Sequence, residues 1–340
     1  MTETVVIQPH PGIGDTVWQV PALRAIAAQL PEGRFDLIAR PQAQAGRLFA
    51  AEPMVAAVHP LLPARGAVQA TASFLRLVAT LRAGRYRRAY ILHRNPRYGF
   101  AALLAGVPER IGYRPPGPLH GLTRAVDAGP MVKGVVDLLD ALDHFLPRAG
   151  IPEVTRIPRL AVLPEARAAV HERWGRLARP WVVVGVGANG ADRRWSDERF
   201  AALVDGLAAA GAGTVFLLGS PAEAGTVAGV RALARRDTVP VTDLTLDRVL
   251  ALLAEADLFV GNDSGPMNMA AAVGRPTFGM IGSNDSRVPI ARLPTLTPIL
   301  PPGGLSPDGM QRLLVEHVLP VVASAVAAAV ATPPTQVPTA

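Results

Sequence analysis

The chain has 340 residues, of which 49% are hydrophobic, and carries a formal net charge of +7 at pH 7. At roughly 100–200 residues per domain, this length excludes one small domain and favours two domains with sizeable cores. Cysteine is absent, which excludes disulfides, thiolate metal sites and cysteine nucleophiles, and fits a cytoplasmic protein.

The hydrophobic residues do not form a membrane span. The longest apolar run, at 318–331, is shorter than the roughly 20 residues that a span needs, and Pro320 interrupts it. The amino terminus lacks a basic segment followed by an apolar one, so no secretory signal is expected. These features predict a soluble, cytoplasmic protein.

The positive charge comes almost entirely from arginine, since Lys133 is the only lysine. A GC-rich genome explains much of this composition. The remaining functional explanation is attraction to anionic partners, such as phosphorylated lipids or a membrane surface, at which the protein could associate peripherally. No arginine block alternates with aromatic residues, so a nucleic-acid partner is not expected.

Short apolar runs alternate with amphipathic stretches along the whole chain. In the first half they predict strands over 4–8, 35–39, 54–58 and 89–93, and helices over 16–30 and 72–84. In the second half they predict strands over 180–186, 214–219, 256–262 and 276–282, and helices over 196–211, 221–235, 246–255 and 265–273. Continuous apolar runs are typical of parallel strands that helices cover on both faces. The pattern predicts an α/β protein with two doubly wound parallel sheets.

The segment 151–166 contains three prolines, which favour an extended chain, and the domain boundary is therefore expected there. The predicted organisation is a first domain over 1–160, a second over 161–331, and a polar, proline-rich disordered tail over 332–340. A further helix is expected near the end of the chain, with Ser306 as its cap and Pro307 at its first position. Ligands of open α/β sheets bind beyond the carboxyl ends of the strands, so two such domains would face a central cleft.

The first candidate site is "HPGIGDTVW" at 10–18, directly after the first strand. Gly12 and Gly14 permit a tight turn, and Asp15 is predicted at the helix cap. One interpretation is that Asp15 only accepts hydrogen bonds from first-turn amides. The other is that it takes a proton from a substrate hydroxyl.

The second candidate is "GVGANG" at 185–190, which matches the G-x-G-x-x-G pattern of dinucleotide-binding proteins. The following helix is predicted to begin only after Ser196, and Gly219 stands where an acidic residue would hold a ribose. NAD is therefore not expected. The remaining interpretation is a glycine-containing loop whose amides, with Arg193 or Arg194, approach a phosphate.

The third candidate is "GNDSGPMNMAAAVGRP" at 261–276. The strand is predicted to end at Gly261, and Asp263, Ser264 and Gly265 form the turn into a helix of small residues. Amides at the start of such a helix can bind a diphosphate, with Ser264 as an added donor. The alternative is an ordinary cap on a buried helix.

Two motifs together resemble glycosyltransferase family 9, the lipopolysaccharide heptosyltransferases. They are "GIGDTVWQVPALRAI" near the amino terminus and "ADLFVGNDSGPMNMAAAVGRPTFGMIG" in the second half; "LLAGVPERIGY" and "RRWSDERFAALVDGLAAAG" fit between them, so the resemblance covers most of residues 4–283. It implies a GT-B fold of two Rossmann-like domains, with the acceptor bound by the first and the nucleotide-sugar donor by the second.

The resemblance also implies roles for individual residues. Asp15 corresponds to the general base of an inverting transfer, with Gly12 and Gly14 in the acceptor-side loop. The donor-binding positions are Gly187, Ala188, Arg194, Asp263, Ser264, Gly265 and Asn268. Position 268 is usually histidine in the family; asparagine can form hydrogen bonds there but cannot carry a charge.

The donor that the resemblance implies is ADP-L-glycero-β-D-manno-heptose. The implied acceptor is a glycan or anionic glycolipid, most readily the lipopolysaccharide core. No cofactor and no metal are expected, and the chain contains no D-x-D motif. Other interpretations stay open: another nucleotide-sugar donor, a small-molecule acceptor, a nucleotide-sugar epimerase, or a catalytically silent sugar-nucleotide binding protein. A two-domain solute-binding protein is disfavoured by the missing export signal.

Overall fold

The computed structural model describes residues 2–63, 66–127, 138–152, 155–283 and 293–331. Contacts divide the chain into two compact units, Met1–Ala161 and Val162–Ala340. The predicted tail, 332–340, lies outside the described residues.

The first unit contains a parallel six-stranded sheet in the order β3-β2-β1-β4-β5-β6. Its strands are β1 (Thr4–Gln8), β2 (Phe35–Ala39), β3 (Val55–Pro60), β4 (Arg88–Ile91), β5 (Glu109–Tyr113) and β6 (Arg124–Val126). The central strand β1 is buried along its whole length, as expected for an apolar strand covered on both faces.

The helices of the first unit are α1 (Ile13–Trp18), α2 (Val20–Ala28), α3 (Ala45–Leu48), α4 (Gly66–Gly84), α5 (Pro96–Leu104) and α6 (Leu138–Arg148). The single helix predicted over 16–30 is wrong, because two helices meet at Gln19. Pro21 explains the break: it has no N–H, and its ring would clash with the carbonyl of Val17 in a continuous helix. At the second position of α2 the same proline is well tolerated.

The second unit contains a parallel six-stranded sheet in the order β12-β11-β10-β7-β8-β9. Its strands are β7 (Trp181–Gly185), β8 (Thr214–Leu218), β9 (Val239–Val241), β10 (Leu258–Asn262), β11 (Thr277–Met280) and β12 (Leu296–Ile299). Its helices are α7 (Pro164–Trp174), α8 (Asp197–Ala209), α9 (Ala224–Leu233), α10 (Leu246–Glu255), α11 (Gly265–Ala272), α12 (Gly309–Arg312) and α13 (Val315–Ala331). The two parallel sheets confirm the predicted fold class.

The carboxyl-terminal helices differ from the prediction. Ser306 is not a helix cap; its hydroxyl donates to the carboxylate of Asp308 at 2.5 Å, and Asp308 is the N-cap of α12. The longer helix, α13, packs on α8 and buries Val318, Val322 and Val326 at helical spacing. Within the described ranges, no helix has the length and apolarity that crossing a membrane requires.

Candidate active site

In the second unit, the turn between β10 and α11 brings together most of the predicted donor-binding residues. Ser264 is the N-cap of α11, which begins at Gly265, and the Asn268 side-chain amide donates to the Ser264 carbonyl at 3.1 Å. The Ser264 hydroxyl and the Asn268 side-chain oxygen are both buried, and neither has a hydrogen-bond partner. Leaving a buried polar atom unpaired costs about 1–3 kcal/mol. The amino end of α11 therefore presents two polar atoms that a ligand could satisfy.

The loop after β7 is fixed to this turn by a residue that the sequence analysis missed, Asn262. Its side chain is fully buried at the end of β10. The Asn262 amide donates to the Val186 carbonyl at 2.9 Å, and its oxygen accepts from the Trp195 backbone N–H at 3.3 Å. The loop that contains Gly187 and Arg194 is thereby held at the carboxyl end of β10.

The two neighbouring arginines of this loop have different contacts. Arg193 lies 3.5 Å from the carboxylate of the largely buried Asp263. Arg194 instead donates to the Ala188 carbonyl at 3.4 Å. A neutral carbonyl does not neutralise a guanidinium, so this contact leaves the positive charge of Arg194 able to attract an anion.

Gly187 packs closely against the side chain of Glu223. A Cβ atom at this position would lie 2.4 Å from the carboxylate oxygens of Glu223. Glu223 is itself held by the backbone N–H and hydroxyl of Ser220, at 2.7 and 2.8 Å. A larger residue at position 187 would displace the Glu223 carboxylate. The role of Gly187 in donor binding stays a prediction.

In the first unit, Asp15 lies at the third position of α1, and the cap position predicted for it is wrong. Gly12 is the N-cap, because its carbonyl accepts the first helical bond, from the Thr16 N–H at 3.1 Å. Gly14 is the second residue of the helix. A Cβ at Gly12 would lie 2.6 Å from an oxygen of Asp15, so a side chain at position 12 would displace the carboxylate.

Two histidines that the sequence analysis did not single out form a pair in this unit, and the first of them, His10, interacts electrostatically with Asp15. His10 follows β1 and His93 follows the neighbouring strand β4, and their ring centroids are 5.5 Å apart. The Nδ1 atom of His93 accepts from the Asn95 backbone N–H at 2.9 Å. Their positions directly after adjacent strands could have been recognised only once the strand order was known.

Burial is the main cause of unusual pKa values at this pair. It lowers the pKa of His10, against the opposing effect of the Asp15 carboxylate. It also lowers the pKa of His93 to about 4, with further contributions from His10 and Arg40. Both imidazoles are therefore neutral near pH 7.

This burial predicts a pH-dependent stability. In the unfolded chain His93 binds a proton below its ordinary pKa of 6.5, whereas in the folded protein it does so only near pH 4. The free energy of unfolding should therefore fall as the pH drops from 7 to 5, with His93 contributing on the order of 1–2 kcal/mol. Urea unfolding at pH 7 and pH 5 should show a smaller fall in the free energy of unfolding for His93→Gln than for the unsubstituted protein. An exposed-site control, His171→Gln, should keep the full fall; an equal fall in all three proteins would contradict the assignment.

The two parallel α/β units, with polar turns at their strand ends, have the architecture of GT-B glycosyltransferases. The sequence model of glycosyltransferase family 9 (heptosyltransferase) matches residues 74–290, and the chain belongs to this family. This finding confirms the resemblance seen in the sequence, and the protein is a glycosyltransferase.

Individual relatives also support membership of this family. Lipopolysaccharide heptosyltransferase 2 of Escherichia coli K12 is 28% identical over 288 residues, which span 79% of this chain and 80% of that protein. The solved structure of the E. coli ADP-heptose lipopolysaccharide heptosyltransferase II matches with a TM-score of 0.77 at 22% identity, covering 96% of this chain and 98% of the other. The E. coli heptosyltransferase WaaC, solved with ADP-2-deoxy-2-fluoro heptose, matches with a TM-score of 0.70 at 17% identity, covering 95% and 99%.

Proposed function

We propose that this protein transfers a heptose from ADP-L-glycero-β-D-manno-heptose to a hydroxyl of the lipopolysaccharide core, with inversion and without a metal ion. The observation that carries the proposal is the pair of buried, unpaired polar atoms, Ser264 Oγ and Asn268 Oδ1, at the amino end of α11. The Ser264 hydroxyl, beside a helix amino terminus, can donate to a phosphate, and the Asn268 oxygen can accept from a hydroxyl of the sugar or the ribose.

The donor is assigned to the second unit. The amides at the start of α11 and the Ser264 hydroxyl would bind the diphosphate, with Arg194 supplying the positive charge. Asn268 would accept a hydrogen bond from the donor through its unpaired oxygen. ADP-heptose is favoured because a relative of similar fold was solved with an ADP-heptose analogue and another is described by that donor.

The acceptor is assigned to the first unit. Arginines follow three of its parallel strands at the carboxyl end: Arg40 after β2, Arg94 after β4 and Arg114 after β5. Arg40 acts electrostatically on both His10 and His93, close to Asp15. Such a cationic edge favours an anionic acceptor, such as a phosphorylated or carboxylated glycolipid at a membrane surface.

In the proposed reaction, the Asp15 carboxylate takes the proton of the acceptor hydroxyl. The acceptor oxygen then forms a bond to the anomeric carbon as the bond from that carbon to the diphosphate oxygen breaks, so the configuration inverts. The negative charge that develops on ADP would be stabilised by the α11 amides, Ser264 and Arg194. No step uses a divalent cation.

Calorimetric titration with ADP-heptose, ADP-glucose, GDP-mannose and UDP-GlcNAc, each with and without EDTA, tests the donor. Tight binding of ADP-heptose alone, unchanged by EDTA, is expected. A transfer assay with isolated lipopolysaccharide core then tests the reaction. Tight binding of another nucleotide sugar would reject the heptose, loss of transfer in EDTA would reject metal independence, and binding without transfer to the core would reject this acceptor.

A further inference from the structure

One segment of the first unit carries an excess of positive charge about as large as the net charge of the whole chain. Residues 53–108 contain eight of the 34 basic residues and none of the 27 acidic ones, so the rest of the chain carries 26 and 27. A GC-rich composition explains many arginines, but it does not explain the exclusion of aspartate and glutamate from 56 consecutive residues. The segment includes β3, α4, β4 and most of the β4–β5 crossover.

Within this segment, α4 exposes apolar side chains on the side away from the sheet. The inner side of the helix buries Ser73, Leu77 and Leu81. On the outer side, Val68 is 85% exposed and Leu75 is 61% exposed. They are seven residues apart and therefore lie on one line along the helix, which continues to Arg82.

The end of α5 extends this exposed apolar area. Leu103 and Leu104 are 44% and 55% exposed, and the Arg82 guanidinium of α4 donates to the Leu104 carbonyl at 2.7 Å. Both helices cross the sheet in the same direction, from β3 to β4 and from β4 to β5, so right-handed connections place them on the same face. We call the exposed residues Val68, Leu75, Leu103 and Leu104, together with Arg76, Arg82 and Arg85, the α4–α5 surface.

Not every arginine of the segment is available to a partner. Arg88 pairs with Glu109 at 2.5 Å, and Arg87 lies 3.7 Å from Glu3. Arg76 and Arg85 are exposed; Arg76 follows Leu75 on α4, and Arg85 lies just beyond the end of this helix. They place positive charge beside the exposed valine and leucines, with no carboxylate from their own segment to compensate it.

We propose that the α4–α5 surface is a docking site for an anionic phospholipid membrane. Aliphatic side chains flanked by arginines match a bilayer surface, where the side chains enter the interface and the cations bind lipid phosphates. A nucleic acid would instead call for aromatic side chains on which bases stack. The proposal complements the glycolipid acceptor proposed above, but it does not depend on that assignment, because membrane binding needs neither donor nor acceptor.

Cosedimentation of the full chain with vesicles tests the proposal. The vesicles contain phosphatidylcholine alone or with 30 mol% phosphatidylglycerol, at low and high salt. We expect binding to the anionic vesicles at least about tenfold tighter than to the neutral ones, and weaker at high salt. Arg76→Gln with Arg85→Gln should lower this binding about tenfold. Leu75→Ser with Leu104→Ser should weaken the part of the binding that persists at high salt.

The matched controls lie in the second unit, on α9. Arg231→Gln removes one exposed arginine, and Leu233→Ser removes a leucine that is 52% exposed; both should bind vesicles as the unsubstituted protein does. Thermal unfolding would show that each variant is folded. No binding by the unsubstituted protein, equal binding to neutral and anionic vesicles, or surface variants that bind normally would each overturn the proposal.

Activity measurements separate this proposal from the proposed function. With a water-soluble core oligosaccharide, the surface variants should transfer heptose at the unsubstituted rate. With acceptor embedded in anionic vesicles, their rate should fall with their binding. If the protein binds anionic vesicles through this surface but transfers no heptose to either acceptor, the docking site stands and the proposed function fails.

Discussion

Replacing Asp15 with asparagine is expected to lower kcat for heptose transfer by about 10²–10⁴-fold, the usual contribution of a positioned general base. Asparagine keeps the shape of the side chain over Gly12, where a Cβ would lie only 2.6 Å from the carboxylate. It cannot take the proton of the acceptor hydroxyl at neutral pH. The Kd for ADP-heptose should change by less than about twofold, because donor contacts are assigned to the other unit.

Single-turnover kinetics and donor titration on the same preparation would measure both quantities. The matched control is Glu32→Gln, which removes an exposed negative charge from the same unit and should leave kcat unchanged. A variant at Asp15 that loses donor affinity but keeps its turnover would refute the general-base role. An equal loss of kcat in Asp15→Asn and Glu32→Gln would mean that kcat depends on the net charge of the first unit and not on Asp15 as a base.

The fold was largely predictable because the buried strands consist of continuous apolar runs. The predicted strands at 4–8 and 35–39 have the observed limits of β1 and β2. The edge strands β6, β9 and β12 were missed because they have only three or four residues, too few to show a periodic pattern. Strand β5 was also missed, because it begins with the charged residues Glu109 and Arg110 and is not a continuous apolar run. Another error, the single helix predicted where the structure has α1 and α2, arose because the effect of Pro21 was not recognised.

The residues of the candidate site were also only partly predictable from the sequence. Asp15 and Ser264 were predictable because each lies in a segment that follows a strand, and ligands of such sheets bind at those ends. Asn268 was predicted only from the family resemblance. His10, His93 and Asn262 were not predictable, because their importance comes from contacts between distant segments. Asn262 holds Val186, 76 residues away, and the two histidines meet only because β1 and β4 are neighbours in the sheet.

Arg194→Gln should weaken ADP-heptose binding by about 10–100-fold, which corresponds to the loss of one charge-assisted hydrogen bond of about 1.5–3 kcal/mol. It should also lower kcat, since the charge on the departing ADP grows in the transition state. Arg194→Lys keeps the positive charge and should recover most of the binding, with a residual loss because an ammonium lacks the planar fork.

The neighbouring arginine makes this test specific. Arg193 lies 3.5 Å from the carboxylate of Asp263, so Arg193→Gln should mainly lower the unfolding temperature by leaving that largely buried carboxylate unpaired. Arg231→Gln, on α9, should change neither property. If instead Arg193→Gln weakened donor binding and Arg194→Gln did not, the diphosphate contact would belong to Arg193. If neither Arg193→Gln nor Arg194→Gln affected donor binding, the amides of α11 and the Ser264 hydroxyl would hold the diphosphate alone.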